Sequence, residues 1–340
     1  MIGNKLHPLA IALQFAYLAL LKFQRGMFHD NVRESAMIAP ARAALARTIY
    51  PSLFTLLLAL GSTAGASEVE RTLVFQGEAR SYLLHVPDSS ATARPLVMVL
   101  HGGGGNARNA ERMSGMSTIA DRENFVVVYP NGSGRLRRAL LTWNAGNCCG
   151  TALDEQVDDV GFLNAVLDDV ARRTPIDSHR LYVTGMSNGG MMTYRLGCES
   201  AARLAAIAPV AGAMNVDCRP AAALSVIAFH GTADQHVLYD GGTPGKSIDR
   251  HPRVDTPVRQ TITFWQQFDR CQAHATDTVV EVTTDDWHNC HAGTEVELNT
   301  LEGFGHAWPG GQKGSPRGDD PTASIDASEA MWQFFSRHNR

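Results

Sequence analysis

The sequence has no large excess of charge of either sign, because 30 lysines and arginines stand against 34 aspartates and glutamates. A net charge of −4 over 340 residues is typical of a soluble globular protein. It does not indicate the strongly basic surface with which proteins bind nucleic acid, so no nucleic-acid partner is expected. No Cys-x-x-Cys spacing occurs, so a structural zinc site is not expected. We expect no metal and no cofactor.

Long apolar runs are also missing. The first 66 residues contain two apolar runs, residues 9–21 and residues 52–60, and both are short for a bilayer-spanning helix, which needs about 20 residues. Internal repeats, low-complexity tracts and linkers are absent as well. The chain is therefore not expected to cross a membrane, and it offers no sign of several domains.

The second apolar run has the surroundings of a signal peptide. Arg42 and Arg47 precede the apolar residues 53–60, and the small residues 64–66 follow them as a cleavage site. No cysteine follows directly, so a lipid anchor is not expected. We predict that residues 37–66 are a signal peptide and that the protein is secreted, either into the periplasm or out of the cell. A buried core helix is the alternative.

The stretch before Met37 does not fit this arrangement. It contains another apolar segment, flanked by Lys5 and Lys22, and a signal peptide does not usually follow such a segment. We expect residues 1–36 to be untranslated in the natural protein, or else disordered, with Met37 as the start. The mature chain would begin near Ser67. The intact mass of natively expressed precursor and secreted product tests both expectations.

From residue 67 to residue 340, strands alternate with helices. This order predicts a single α/β domain with a mostly parallel central sheet flanked by helices on both faces. Residues 240–256, rich in glycine and proline, are expected to form a surface loop. The predicted strands are 71–75 and 81–86 (a hairpin), 96–100, 125–129, 181–184, 205–210, 225–229 and 295–301, and the predicted helices are 157–172, 257–268 and 328–338.

The sequence Gly-Met-Ser-Asn-Gly at residues 185–189 follows an apolar strand and opens a helical pattern. Gly-x-Ser-x-Gly places a serine at the tip of a sharp strand-to-helix turn, where two glycines let the strand and the helix approach closely. Ser187 is therefore a candidate nucleophile. The pentapeptide has only three fixed positions, so an ordinary glycine-rich turn is the alternative.

Three further residues or segments follow predicted strands. The glycines of His-Gly-Gly-Gly-Gly at residues 101–105 can point backbone N–H groups at a developing negative charge, and the Gly-Lys-Ser/Thr of a phosphate-binding loop does not follow them. Asp234 follows one strand, and His306 follows the last one. A turn aspartate and a structural histidine are the alternatives.

Ser187, Asp234 and His306 occur in the chain order that α/β-hydrolases use. In that arrangement His306 takes the proton of Ser187, and Asp234 orients the imidazole. Backbone N–H groups of Asn188 and of Gly103 or Gly104 would bind the oxyanion. Asp158, Asp159 and Asp240 are rival acids, although the first two precede the nucleophile and are out of order.

Five segments resemble the polyhydroxybutyrate depolymerase-like family of secreted esterases, which includes feruloyl and acetylxylan esterases. The resemblance runs from about residue 71 to the end of the chain, and it implies an α/β-hydrolase fold and a metal-free serine esterase with the triad above. The long 240–256 loop departs from the family pattern. The segments are 101–105, 142–150 (Thr-Trp-Asn-Ala-Gly-Asn-Cys-Cys-Gly), 157–162, 185–192 and 305–310.

The six cysteines of an exported chain are expected to form disulfides, although free buried thiols are the alternative. The resemblance implies a bond between Cys271 and Cys290 across a helix-to-strand stretch. Connectivity cannot be read from the sequence. Because a bond between adjacent cysteines strains the peptide, we expect the pair at 148 and 149 to bond separately with Cys198 and Cys218.

The predicted function is a carboxylic-ester hydrolase acting on short hydroxyalkanoate oligomers or amorphous aliphatic polyester. Feruloyl or acetyl esters of plant polysaccharide are the alternative substrates, and a serine peptidase or a non-catalytic binding protein on the same fold is less favoured. Trp143 and Trp308 stand beside the motif residues and could line an apolar substrate pocket, though large aromatics more often lie in a core. The sequence does not reveal the oligomeric state.

Overall fold

The computed structural model describes residues 67–88, 93–136, 138–245 and 252–340. The predicted signal peptide, the stretch before it and residues 246–251 of the predicted surface loop lie outside the described residues, so these expectations stay predictions. No helix in the described ranges has the length and apolar content needed to cross a membrane.

Within the described residues, ten strands form one sheet in the order β1-β2-β4-β3-β5-β6-β7-β10-β9-β8. The central strands from β4 to β10 in this order run parallel, and the outer pairs continue the sheet through antiparallel pairing. The strands are β1 (Ser67–Phe75), β2 (Glu78–Val86), β3 (Arg94–Leu100), β4 (Val126–Pro130), β5 (Ile176–Met186), β6 (Ala206–Val210), β7 (Ser225–Gly231), β8 (Ala273–Val279), β9 (Val282–His288) and β10 (Val296–Leu301).

Helices cover both faces of the sheet, because the central strands are apolar on both sides. In β3, Leu96, Met98 and Leu100 join the core beneath α4, α5 and α6, whereas Val97 and Val99 join the core beneath α1, α2 and α7. The helices are α1 (Ala107–Ser114), α2 (Met116–Glu123), α3 (Gly150–Asp154), α4 (Asp159–Arg173), α5 (Asn188–Ser200), α6 (Val258–Phe268) and α7 (Ala327–Ser336).

This architecture confirms the predicted α/β fold with its mostly parallel sheet. Each predicted strand and helix is present, but β8, β9 and the short helices α1, α2 and α3 were not predicted. The β8–β9 hairpin turns at Val280, which has a φ of 56°, and at Glu281. Two-residue hairpin turns usually carry Asn-Gly or Asp-Gly at such positions, so this turn left no signal in the sequence.

The disulfides correct one prediction and bear out another. Cys271 and Cys290 are bonded, and the segment between them is the β8–β9 hairpin rather than a helix-to-strand stretch. Cys198 is bonded to Cys218, with 4.9 Å between their Cα atoms, so neither is left for the adjacent pair. Cys148 is consequently bonded to Cys149, and the expectation of two separate bonds was wrong.

Loss of the Cys271–Cys290 bond is expected to destabilise the fold, because this bond closes the base of a hairpin at the edge of the sheet. Closing a loop of about 20 residues restricts the unfolded chain by about 3 kcal/mol. The double variant Cys271→Ala/Cys290→Ala should therefore lower the Tm by roughly 6 °C or more in thermal unfolding without reductant. An unchanged Tm would contradict a stabilising role for this bond.

Candidate active site

Ser187 lies between the end of β5 and the first residue of α5, with φ 58° and ψ −122°. A positive φ is unusual for a serine and is the strained geometry of a nucleophile elbow. A Cβ added to Gly185 would lie 2.6 Å from the carbonyl oxygen of Gly189, and one added to Gly189 would lie 2.5 Å from that of Leu100. The elbow therefore requires both glycines.

Sheet register brings the glycine segment next to this elbow. Leu100, the last residue of β3, pairs with Gly185 of β5, so residues 101–105 leave the sheet at the level of Ser187. Carboxyl ends of parallel strands collect functional residues at one edge of the sheet. The same edge receives the chain after β7 and after β10, which are neighbours.

Asp234 and His306 meet at this edge. Nδ1 of His306 lies 2.6 Å from Oδ2 of Asp234, whose side chain is fully buried. The other carboxylate oxygen accepts hydrogen bonds from the backbone N–H of His236 at 2.7 Å and of Val237 at 2.9 Å. These bonds hold both carboxylate oxygens in place.

The charge of Asp234 is preserved despite its burial. Burial works to raise the pKa of its carboxyl, but the hydrogen bond and charge of His306 hold the pKa below its ordinary value. His230, also buried, has Nε2 at 2.8 Å from the carbonyl oxygen of Val237 and at 3.6 Å from Oδ2 of Asp234. Burial lowers the pKa of His230. A neutral His230 donates to Val237 and supports the turn that carries the acid.

Ser187 and His306 line one cleft of about 450 Å³. Its other described lining is polar or small, with Met113, Met186 and Ala307 as the apolar contributors. The remaining lining residues are Gly102, Gly103, Gly104, Gly105, Asn106, Arg108, Asn109, Arg112, Gly314, Ser315, Gly318 and Asp319. Serine, imidazole and glycine backbone thus face one space in which an ester could sit.

Two backbone donors next to Ser187 suit an oxyanion. Asn188 is the first residue of α5, where a backbone N–H has no partner within the helix. Gly103 lines the cleft. Gly104, the other candidate, already donates its N–H to the carbonyl oxygen of Leu141 at 2.8 Å, so Gly103 is the better second donor.

Trp143 and Trp308 do not line the cleft, which corrects the prediction that they contact substrate. Both rings are buried, and each indole N–H is bonded inside the protein, Trp143 to the carbonyl oxygen of His101 and Trp308 to the hydroxyl of Ser328, both at 3.0 Å. The side chain of Asn188 accepts from the backbone N–H of Trp143 at 2.7 Å and donates to its carbonyl oxygen at 2.9 Å. Trp143 therefore braces the elbow instead.

His101 is part of the same support. Its side chain is fully buried beside the ring of Trp143, with 4.8 Å between centroids. Burial lowers the pKa of His101 to about 4, so the ring is neutral at neutral pH. Its Nε2 accepts the backbone N–H of Gly132 at 3.0 Å, and Nδ1 lies 2.8 Å from the carbonyl oxygen of Gly102. The ring holds the start of the glycine segment.

The rival acids have other partners or lie apart. Asp158 caps α4 by accepting the backbone N–H of Gly161 at 2.8 Å. Asp159 is buried and bonds the guanidinium of Arg80 at 2.7 Å and the N–H of Asn144 at 2.8 Å. Asp240 is exposed to solvent and does not line the cleft. Asp234 is the acid that contacts His306.

Sequence reasoning missed two side chains that position the histidine and its neighbours. Asp319 accepts the backbone N–H of His306 at 2.7 Å and packs against Gly305. Arg253 donates to the carbonyl oxygen of His236 at 2.5 Å and is bonded to Asp255 at 2.8 Å. Neither stands in a motif. A sequence signal exists only for Arg253, because this residue lies in the 240–256 loop, which departs from the family pattern.

Among the residues that the structure describes, no group of three histidine, cysteine, aspartate or glutamate side chains could hold an ion.

A parallel sheet whose serine elbow, acid and histidine follow β5, β7 and β10 defines the protein as an α/β-hydrolase. The chain belongs to the esterase PHB depolymerase family, whose sequence model matches residues 80–255. Relatives of the chain are named as esterases, which is consistent with an ester hydrolase. The predicted family resemblance is thereby confirmed.

The relatives come from bacteria and fungi. NocK of Nocardia uniformis subsp. tsuyamanensis is 30% identical over 268 residues, which cover 73% of this chain and 76% of NocK. Feruloyl esterase B of Piromyces equi is 28% identical over 65% of this chain, which spans only 41% of that protein's length. Feruloyl esterase C of Emericella nidulans is 28% identical over 77% of this chain and 86% of its own.

Solved structures share the fold, among them an acetyl xylan esterase. The acetyl xylan esterase from Aspergillus awamori superposes with a TM-score of 0.53 over 79% of this chain and 99% of that chain, at 15% identity. At such low identity the likeness establishes the fold alone.

Proposed function

We propose that this enzyme hydrolyses short hydroxyalkanoate oligomers or amorphous aliphatic polyester through an acyl-enzyme on Ser187. The carrying observation is the contact of 2.6 Å between Nδ1 of His306 and Asp234, beside a cleft that Ser187 and His306 share. With Nδ1 bonded to the acid, Nε2 is the imidazole nitrogen left for the serine.

The reaction runs in two halves. In acylation, Nε2 of His306 takes the hydroxyl proton as Oγ of Ser187 attacks the ester carbonyl carbon, and backbone N–H groups of Asn188 and Gly103 bind the oxyanion. Collapse of this intermediate breaks the bond to the alkoxy oxygen, which leaves as an alcohol with the proton from His306. In deacylation, water gives a proton to His306 as its oxygen attacks the acyl carbonyl carbon. The bond from that carbon to Oγ of Ser187 then breaks, His306 returns the proton to Oγ, and the acid is released.

The cleft favours an aliphatic ester over an aromatic one. Its described lining contains no phenylalanine, tyrosine or tryptophan, and both tryptophans that could have held a phenolic ring are buried elsewhere. Ferulate recognition gains from aromatic contacts, since ring pairs add stabilisation beyond the area they bury. Met113, Met186 and Ala307 instead provide small aliphatic surfaces next to polar groups that suit ester carbonyls.

Plant-polysaccharide esters remain the second candidate, because curated relatives carry the names feruloyl esterase and acetylxylan esterase. The deciding measurement is kcat/KM on hydroxybutyrate oligomers, methyl ferulate and acetylated xylan, since discrimination resides in that ratio. We expect hydroxybutyrate oligomers to exceed methyl ferulate by at least about tenfold, which is about 1.4 kcal/mol of transition-state binding. A tenfold preference for methyl ferulate would contradict the polyester proposal.

We also propose that the enzyme is exported by the signal peptide at residues 37–66. Three disulfides in the described chain support this, because such bonds persist in oxidising compartments outside the cytosol. Recovery of the enzyme only from the cytosolic fraction of its natural host would contradict export.

A further inference from the structure

Helix α1 forms one wall of the cleft and carries two arginines towards it. Ala107, Ala110 and Met113 anchor the helix in the core against the sheet. Arg108 and Arg112 are four residues apart, so they lie on one face of the helix, and both line the cleft that contains Ser187 and His306.

The two guanidinium groups differ in their partners. Arg108 is bonded to the carboxylate of Glu68 at 2.6 Å, so its charge is partly offset. Arg112 is exposed and makes no ion pair with any residue of the described ranges. A planar guanidinium binds a carboxylate through two parallel hydrogen bonds, which makes Arg112 an available anion-binding group.

The acidic side chain that lines the cleft, Asp319, lies on the wall that is not formed by α1. Asp319 is bonded to the backbone N–H of His306 at 2.7 Å and so lies with the histidine loop. The walls meet where Asn109 donates to the carbonyl oxygen of Gly314 at 2.6 Å. The charged or titratable groups that line the cleft are thus Arg108 and Arg112 on α1, with His306 and Asp319 on the loop. Asp319 repels an anionic substrate, and the two arginines of α1 attract it. Together these charges orient the substrate in the cleft.

We propose that Arg112, with Arg108 beside it, binds a free carboxylate of the substrate. The preferred substrates are then short esters that end in a free carboxylate, rather than neutral chains. This inference rests on the proposed ester hydrolysis at Ser187. A hydroxyalkanoate oligomer carries such a carboxylate at the end of its alcohol-side product. The site would therefore hold the acid terminus while the serine cleaves an ester bond within reach of it.

The test compares two trimers of 3-hydroxybutyrate, the free acid and its terminal primary amide, which is neutral and adds no ester bond. For the wild type we expect kcat/KM for internal ester cleavage to be about tenfold higher on the acid. The difference should lie in KM rather than in kcat, because a remote charge contact is made equally in ground state and transition state. Salt at 0.5 M should reduce the preference through screening.

Substitution separates this site from general effects on the fold. Arg112→Gln should abolish the preference by lowering kcat/KM on the acid by about tenfold, whereas Arg112→Lys should retain part of the preference. Arg219→Gln, at an exposed arginine paired with Asp217, is the matched control and should keep the full preference. Equal rates on both trimers in the wild type, or an undiminished preference in Arg112→Gln, would overturn the carboxylate site alone. Hydrolysis of neither trimer would overturn the polyester proposal as well.

Discussion

Ser187→Ala is expected to lower kcat/KM on a short p-nitrophenyl ester by at least about 10⁴-fold. The hydroxyl supplies the atom that forms the acyl-enzyme, and loss of the nucleophile of a comparable triad leaves only the contributions of the oxyanion donors and of binding. Serine and alanine both carry a Cβ, so the substitution adds no strain at the positive φ of residue 187 and the elbow should still fold. Steady-state kinetics with the purified variant give the measurement, and the wild type should show a burst of p-nitrophenol that the variant lacks.

The control replaces another serine hydroxyl far from the cleft. Ser336 is exposed at the end of α7, its hydroxyl donates to the carbonyl oxygen of Gln333, and it does not line the cleft, so Ser336→Ala should keep the wild-type rate. Both variants should keep the Tm of the wild type within about 2 °C, because neither substitution opens a core cavity. If Ser187→Ala hydrolysed the ester at the wild-type rate, another nucleophile would have to be sought in the cleft.

The elbow was predictable because its signal is local. The glycines at 185 and 189 flank the serine, and the structure shows the two close backbone approaches that exclude any larger residue. Asp234 and His306 were predictable for a different reason. Each follows a strand of a parallel sheet, and strand order along the chain places such residues at one edge before any coordinates are known.

The features that could not be predicted from the sequence are those that depend on tertiary packing. A tryptophan beside a motif residue has the same local sequence whether its ring lines a pocket or fills a core, and Trp143 and Trp308 fill cores. Disulfide pairing depends on the distance between cysteines, so Cys198 and Cys218 were assigned to the wrong partners. Asp319 contacts His306 from thirteen residues away through a loop without periodicity, and no pattern marks it.

Asp234→Asn is expected to lower kcat by about 10³- to 10⁴-fold while leaving the fold intact. Asparagine has nearly the same shape and keeps an oxygen for the N–H groups of His236 and Val237. Its amide then faces Nδ1 of His306 with an N–H, which favours the wrong tautomer and removes the negative charge that stabilises the imidazolium. The measurement is kcat over a range of pH for the wild type and the variant.

The direction in which activity changes with pH follows from the ionisation of Asp234 and of the histidine base. Hydrogen bonding and positive charge hold the pKa of Asp234 below its ordinary value, so the carboxylate is ionised throughout the range in which a histidine titrates. Because a histidine base acts in its neutral form, wild-type activity should rise with pH along an acid limb and then hold at mildly alkaline pH. In Asp234→Asn, activity should stay low across this whole range. The stabilising contribution of Asp234 should likewise be present above about pH 4, the ordinary carboxyl pKa, and be lost as the pH falls through the lower value in the fold.

Asp240→Asn is the matched control, because Asp240 was the rival acid after the same strand and is exposed to solvent. We expect its kcat and its acid limb to equal those of the wild type. To check that the fold is intact, both variants should be compared with the wild type by near-ultraviolet circular dichroism before their rates are compared. If Asp240→Asn lost activity while Asp234→Asn kept it, the charge that supports His306 would come from Asp240, and the contact seen between His306 and Asp234 would be structural only.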